Sequence, residues 1–423
     1  MMRKRFYASA IMGMALAAFG LSSCEDELQE ASPAQNKQYA SGYEEYSLAT
    51  DMMIPETSLR SGFSNNRLWK DRNGFYYIPY KFIGIATEQE KKEFKIYLLE
   101  WMSYANLNFR EVSEEEDAVV RVQFASPWDE DRGNWSYVGN YAEYITDQSQ
   151  PTIHFQYFSP YLTLDRWRRP LLHEMGHMLG LQHEHLSPNC PYKYDKQKVY
   201  NWAAKSQGWS KEKTDSNIFI TLSGVEYTAF DAKSIMLYSL PDSCYLPGSA
   251  KAEYNNMLSD IDKQMIRQKY PFNGTKRLFR CYITNLNGYT INKHFYTTSF
   301  EELYKYSDNR FVESSMGFIL DHQEAGTKPL YRFFNSKTFD HFYTANYDEY
   351  KKLRETSQSY KYEGIVGYVF SSKQRGYNEV YRLYNGKTGE HFYTTSRDEV
   401  NRCEAKGFKY ERIEFYVMND YFK

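Results

Sequence analysis

The sequence predicts an α+β lobe followed by a β-rich domain of three repeats. Three observations carry that reading. Between about Leu68 and Pro271, strand-like and helix-like apolar patterns alternate and lead into a long helix rich in histidine. From Leu278 onward, two short aromatic motifs recur three times at a period of roughly 47 to 52 residues. Aromatic residues make up 18% of the 423-residue chain, with 41 Tyr, 27 Phe and 7 Trp, a composition that suits strands and contact surfaces.

Charge narrows the function classes. Lys+Arg 52 against Asp+Glu 54 leaves a net charge of −2, so no strong field favours nucleic acid or an anionic membrane surface, and nucleic acid is not an expected partner. A hydrophobic share of 42% over this length is enough for more than one core.

Residues 1–24 read as a lipoprotein signal peptide. Met1-Met2-Arg3-Lys4-Arg5 is a basic start, and the apolar run from about Phe6 to Leu21 is too short to span a bilayer as a mature helix. It ends in Leu21-Ser22-Ser23-Cys24, which resembles a bacterial lipobox and makes Cys24 the expected lipidation site; Glu25-Asp26-Glu27 resembles a surface-export signal. The expected location is the outer membrane or cell surface of a Gram-negative bacterium, held by a lipid anchor only, or otherwise the secreted medium. Residues 25–64 are polar, lack an apolar period and read as a tether or pro-segment.

Residues 65–273 form the first folded part. Phe75 to Tyr80 reads as a strand, and Thr87 to about Ala105 carries Phe94, Tyr97, Leu98, Trp101 and Met102 at helical spacing behind a capping box at Thr87…Glu90. Ala118 to Phe124 alternates like a strand, and Thr152 to Phe155 is a further candidate. Past Asn273-Gly274 the texture changes, because all 7 Trp lie at or before Trp209.

Residues 276–423 hold the repeats. Leu278-Phe279-Arg280, Leu330-Tyr331-Arg332 and Val380-Tyr381-Arg382 are one motif, and the His-Phe-Tyr-Thr runs starting at His294, His341 and His391 are the second. Each second motif precedes a capped helix start, at Ser299, Asn346 and Ser396, so the unit is strand, turn, strand, short helix, strand. Three such units either close about a pseudo-threefold axis, as in a β-trefoil, or stack as an open array; closure is the preferred reading. The repeated His are expected to be core residues defining the unit. Exposed aromatics make a glycan or cell-surface ligand an expected use of the repeats.

Chemistry concentrates in His173-Glu174-Met175-Gly176-His177-Met178-Leu179-Gly180-Leu181-Gln182-His183-Glu184. Positions i and i+4 share a helix face, so His173 and His177 can aim two imidazoles at one Zn²⁺, with Glu174 beside them. Gly180 is expected to end the helix in a left-handed conformation and bring His183 round as third ligand. Three neutral nitrogens leave one zinc position open for water, whose proton Glu174 is placed to accept. A chance match to this pattern is on the order of 10⁻⁵ given the residue frequencies.

These residues resemble the metzincin metallopeptidases, and within them the astacin family, which follow the third His with Glu, as Glu184 does here, and carry a Ser-x-Met-x-Tyr turn, matched by Ser234-Ile235-Met236-Leu237-Tyr238. The resemblance covers residues 65–273 and implies a two-lobed catalytic domain, one catalytic Zn²⁺, an apolar floor from Met236, and a hydroxyl of Tyr238 that can ligate the metal or stabilise an oxyanion. Trp135-Ser136-Tyr137-Val138-Gly139 and Leu258-Ser259-Asp260 resemble further family segments. The repeats resemble short aromatic repeats appended to many secreted bacterial proteins.

Two departures stand out. The family's disulfide cysteines are unmatched; with Cys24 set aside, Cys190, Cys244, Cys281 and Cys403 remain as disulfide candidates, with three connectivities, of which Cys190–Cys244 and Cys281–Cys403 keep each bridge within one domain. No clear Phe-x-Gly-Asp pro-segment is present, and Glu184 is expected to meet an internal polar group in place of a processed N-terminus. The expected function is a zinc-dependent metalloendopeptidase acting on extracellular proteins or peptides. The alternative is a surface glycan- or protein-binding lipoprotein on an inactive metallo-scaffold.

Overall fold

The computed structural model describes residues 50–53, 67–70, 76–126, 133–157, 164–220, 229–286, 289–306 and 312–419; Cys24 and the signal peptide lie outside them. The first sheet contains β1 (Thr50–Met53), β2 (Tyr76–Phe82), β3 (Leu107–Glu111), β4 (Val120–Phe124), β5 (Asn134–Tyr137) and β6 (Ile153–Phe155), in the order β1-β5-β6-β4-β2-β3. β2 runs parallel to β3 and β4, and β4 to β6, whereas β5 is antiparallel to β6. Parallel neighbours need crossovers, and helix α1 (Glu88–Tyr104) supplies the first. Its N-cap Thr87 forms the predicted capping box with Glu90, and the stripe of Phe94, Tyr97, Leu98 and Trp101 is buried.

Helix α2 (Leu164–Met178) carries the histidine motif and packs beneath this sheet. Three distant groups hold its C-terminal half: the indole N–H of Trp101 donates to Leu172 O at 3.2 Å, that of Trp69 to Met178 O at 2.9 Å, and the hydroxyl of Tyr270 to Leu179 O at 2.8 Å. Helices α3 (Lys196–Gln207), α4 (Lys211–Thr214) and α5 (Asp260–Lys269) complete this part. The result is a mixed α/β arrangement in which one helix lies between a sheet above and irregular chain below.

Strand, strand, helix and strand then follow one another three times. The elements are β7 (Thr275–Leu286), β8 (Tyr289–Thr297), α6 (Phe300–Tyr306) and β9 (Val312–Leu320); β10 (Thr327–Asn335), β11 (Asp340–Thr344), α7 (Tyr347–Thr356) and β12 (Tyr360–Phe370); and β13 (Tyr377–Asn385), β14 (Glu390–Thr394), α8 (Arg397–Ala405) and β15 (Lys409–Met418). Within each unit the first strand pairs antiparallel with the other two. Strands β9, β12 and β15 each pair with the other two at their ends.

The middle tyrosines of the His-Phe-Tyr-Thr motifs join these units. Tyr296 donates its hydroxyl to Tyr393 O, Tyr393 to Tyr343 O, and Tyr343 to Tyr296 O, and each hydroxyl also accepts a backbone N–H from the same ring of residues. The arginines of the first motif form a second ring: Arg280 pairs with Glu399, Arg332 with Glu302, and Arg382 with Glu349, each glutamate lying on a different unit from its arginine. Two of the three repeated histidines are inter-unit groups too, His294 meeting Glu390 and His391 meeting Asp340 at 2.7 Å each, whereas His341 lies 3.7 Å from Glu363 of its own unit.

The cysteines correct one expectation. Cys190, Cys244, Cys281 and Cys403 are not joined by disulfides, and the last three are buried. Cys244 sits among Tyr238, Leu240 and Tyr245, whereas Cys281 belongs to a core shared with Phe279, Ile283 and Phe295. A buried thiol behaves as a small apolar side chain, and burial pushes the thiols of Cys281 and Cys244 up, away from the thiolate needed for exchange.

Candidate metal centre

A helix turn puts His173 and His177 on one face of α2. The helix then stops in a Schellman turn: Gly180 has φ of 98°, its N–H donates to His177 O at 2.8 Å, and the Leu181 N–H donates to Gly176 O at 2.9 Å. The reversed chain delivers His183, whose Nε2 lies 3.0 Å from that of His177 and 3.2 Å from that of His173. These three residues, all buried, form the group among the described residues able to hold a metal ion.

The donor set fits zinc. Nδ1 of His173 and of His177 each lie 2.8 Å from a backbone carbonyl, of Ile235 and Leu181 respectively; only an N–H can satisfy a carbonyl, so both Nε2 atoms are bare and face inward. His183 Nδ1 has no hydrogen-bond partner. Burial, reinforced by neighbouring positive charge, holds His173 and His183 well below the ordinary histidine range, and burial brings His177 down to about 4. Neutral imidazoles with converging lone pairs repel unless a cation lies between them. Zinc–nitrogen bonds of about 2.0–2.1 Å at tetrahedral angles separate ligand nitrogens by about 3.3 Å, close to the spacing here.

Around the triad, Glu174 is fully buried on the same helix. Tyr238 stacks with its ring centroid 4.2 Å from that of His183. Met236 is buried below, and its Sδ would come within 2.4 Å of a Cβ placed on Gly176; the glycine lets the methionine turn approach the helix. Glu184 accepts the backbone N–H of Asp231 at 2.8 Å, an internal polar group, and burial pushes its carboxyl up to about 8.

Sequence reasoning did not single out what holds the methionine turn. Asp262 accepts the Ser234 hydroxyl at 2.7 Å and the Ile235 N–H at 2.8 Å, and burial pushes its carboxyl up to about 6. Arg169, nearly buried on α2, donates to Leu237 O at 2.6 Å. Its position next to a proline, four residues before His173, carried no signal of this role. Arg168 pairs with Glu100 of α1 below the surface.

Half of the chain matches myroilysin of known structure. Identity is 33%, covering 50% of this chain and 98% of myroilysin. Myroilysin is an astacin-family zinc metalloprotease. The TM-score of this match is 0.45. A second myroilysin crystal structure matches at 31% identity over 54% of this chain and 92% of that one, with a TM-score of 0.40. High choriolytic enzyme 1, a hatching enzyme zinc-protease from the medaka fish Oryzias latipes, is similar at 17% identity over 50% of this chain and 98% of its own, with a TM-score of 0.35. Residues 268–418 match the family model "Domain of unknown function (DUF5648)". No curated protein matches the chain.

Proposed function

We propose that the chain is a zinc-dependent endopeptidase whose catalytic part is residues 65–273, with residues 276–423 as an appended domain. The observation that carries this is the convergence of three buried, neutral imidazoles beside the buried Glu174, in a chain half of which is 33% identical to myroilysin. Zinc held by His173, His177 and His183 supplies Lewis acidity toward a peptide carbonyl and makes water more acidic. Glu174 takes the proton of the attacking water and gives it to the leaving amine, a transfer eased by its dry surroundings. The Tyr238 hydroxyl donates a hydrogen bond to the oxyanion that develops on the carbonyl. Met236 closes the floor with an apolar surface that excludes water.

Substrate, by this reading, binds as an extended strand along the edge of β5. In the structure Thr50–Met53 pairs with that strand, in parallel, from Thr50↔Asn134 to Met53↔Tyr137. This pairing supports residues 25–64 as a pro-segment that covers the edge until it is cut. The tyrosine ring of the second domain supports closure of β-trefoil type, with its outer aromatics available to a glycan or cell-surface ligand. Among the described residues no helix is long and apolar enough to cross a membrane, and the anchor we propose is lipid on Cys24, which palmitate labelling lost in Cys24→Ser would support.

Zinc content and cleavage of a quenched peptide library test the main reading on the full chain, before and after proteolytic trimming near residue 65. Expected are one zinc per chain, cleavage that rises on trimming, and loss of cleavage with zinc retained in Glu174→Gln. Zinc binding without cleavage in either form overturns it in favour of a binding lipoprotein.

A further inference from the structure

Tyr238 rests on a fourth histidine that the metal triad does not use. His185 lies in the short turn Glu184–Leu186 and is 5% exposed. Its ring centroid is 4.6 Å from that of Tyr238, with the planes 28° apart. It also stacks on His183 at 5.1 Å, so the tyrosine ring lies against two rings of the triad, His183 at 4.2 Å and His173 at 6.0 Å, and one ring that does not belong to it.

The far side of His185 is pinned. Nε2 lies 2.9 Å from the carbonyl oxygen of Asn217, so that nitrogen carries the proton and donates it. Asn217 belongs to the π-helical turn Asp215–Phe219, is itself nearly buried, and is fixed by its side-chain amide donating to Lys213 O at 2.9 Å. A chain of contacts therefore runs from the lower part of the fold through a fixed imidazole to the face of Tyr238. Offset-stacked aromatic pairs prefer particular separations and tilts, so a ring clamped at one edge limits where its neighbour can settle.

We propose that His185 is a positioning residue for Tyr238, its face holding the phenol ring in the one orientation from which the hydroxyl reaches the reacting carbonyl. The catalytic consequence rests on the peptidase reading; the positioning itself does not. Without His185 the ring spreads over other rotamers, and turnover falls by the fraction of time it spends in them. Substrate binding, which does not use the hydroxyl, stays as it is.

The test uses the full chain, trimmed as above, with two ringless replacements, His185→Leu and His185→Asn, the flat replacement His185→Phe, Tyr238→Phe, and His185→Leu combined with Tyr238→Phe. Stacking of this kind corresponds to about two- to tenfold in rate. Expected are a kcat lowered by that factor at unchanged KM in the ringless variants, recovery in His185→Phe, and no further loss from His185→Leu once Tyr238 is Phe. Crystal structures of the metal-free wild type and ringless variants give a readout independent of turnover: one Tyr238 orientation in the former, a displaced or divided one in the latter. An unmoved Tyr238 in a folded ringless variant, or an equal fold-loss with and without the Tyr238 hydroxyl, overturns the proposal. If the wild type does not cleave peptides, the peptidase reading fails alone and the Tyr238 orientation still decides this one.

Discussion

Gly176, between the two helix ligands, shows how tightly single residues specify the metal centre. A Cβ there would lie 2.4 Å from Met236 Sδ and 3.3 Å from its Cε, so the motif's variable position is not free in this chain. Gly176→Ala is expected to destabilise the fold by roughly 1–3 kcal/mol through overpacking, read as a lower urea midpoint at unchanged slope. Gly180 answers a different need, since at φ 98° a Cβ meets the following carbonyl. The histidines, Glu174 and Gly180 were legible because ligand chemistry and helix geometry restrict residue type at fixed offsets. His185, Arg169 and Asp262 were not, because each acts on a partner brought close only by folding: Asn217 and Tyr238, Leu237, and Ser234 with Ile235.

At the scale of elements, each hairpin of the second domain completes its neighbour. Tyr296 bonds both ways with Tyr393, donating to its carbonyl and accepting its N–H. Tyr296→Phe strands both backbone groups in a dry core, at about 1–3 kcal/mol for each unpaired group, and thermal unfolding should show the loss while Tyr289→Phe, on an exposed ring, leaves the transition unmoved. The capping glutamates carry a second duty. Glu302, Glu349 and Glu399 accept hydrogen bonds from Thr297, Thr344 and Thr394 and pair with an arginine of another unit. A pH effect follows from His294. Burial opposes its charge, but hydrogen bonds and charge from Glu313 and Glu390 outweigh that and raise it to about 9. A histidine raised above its ordinary value of about 6.5 contributes stability that is complete below that pH and is lost as pH rises toward 9. His294→Gln should remove this alkaline sensitivity between pH 6.5 and 9, as followed by thermal denaturation across that range.

For the whole molecule, the boundary near Asn273 is a change of sequence texture and not a gap in packing. Phe279, Cys281, Phe300 and Leu303 of the first unit share one core with Trp101, Tyr104, Leu107 and Tyr270. Arg277 donates to Leu107 O at 2.7 Å, and Tyr104 donates to Glu301 at 2.8 Å. Each large side chain in that core is worth about 1.5–3 kcal/mol, so removing several approaches the whole stability of an ordinary domain. Residues 65–273 alone are therefore expected to lose cooperative unfolding in calorimetry, whereas the full chain unfolds with both parts coupled; two independent transitions in the full chain would contradict this. Cys244, Cys281 and Cys403 fit the same view, since cores that are continuous and aromatic bury them as apolar groups.

By itself the sequence picked out the three clustered histidines, the adjacent Glu174, the helix that presents two of them and the period of the aromatic motifs, because local geometry and ligand chemistry allow few residue types at those spacings. Tertiary structure alone decided that the four cysteines lie unbridged, that repeated arginines and tyrosines bind across units, as do His294 and His391, and that the two parts share a core. Those outcomes depend on which surfaces meet, and contacts between residues from 30 to 197 positions apart are set by folding and not by local spacing.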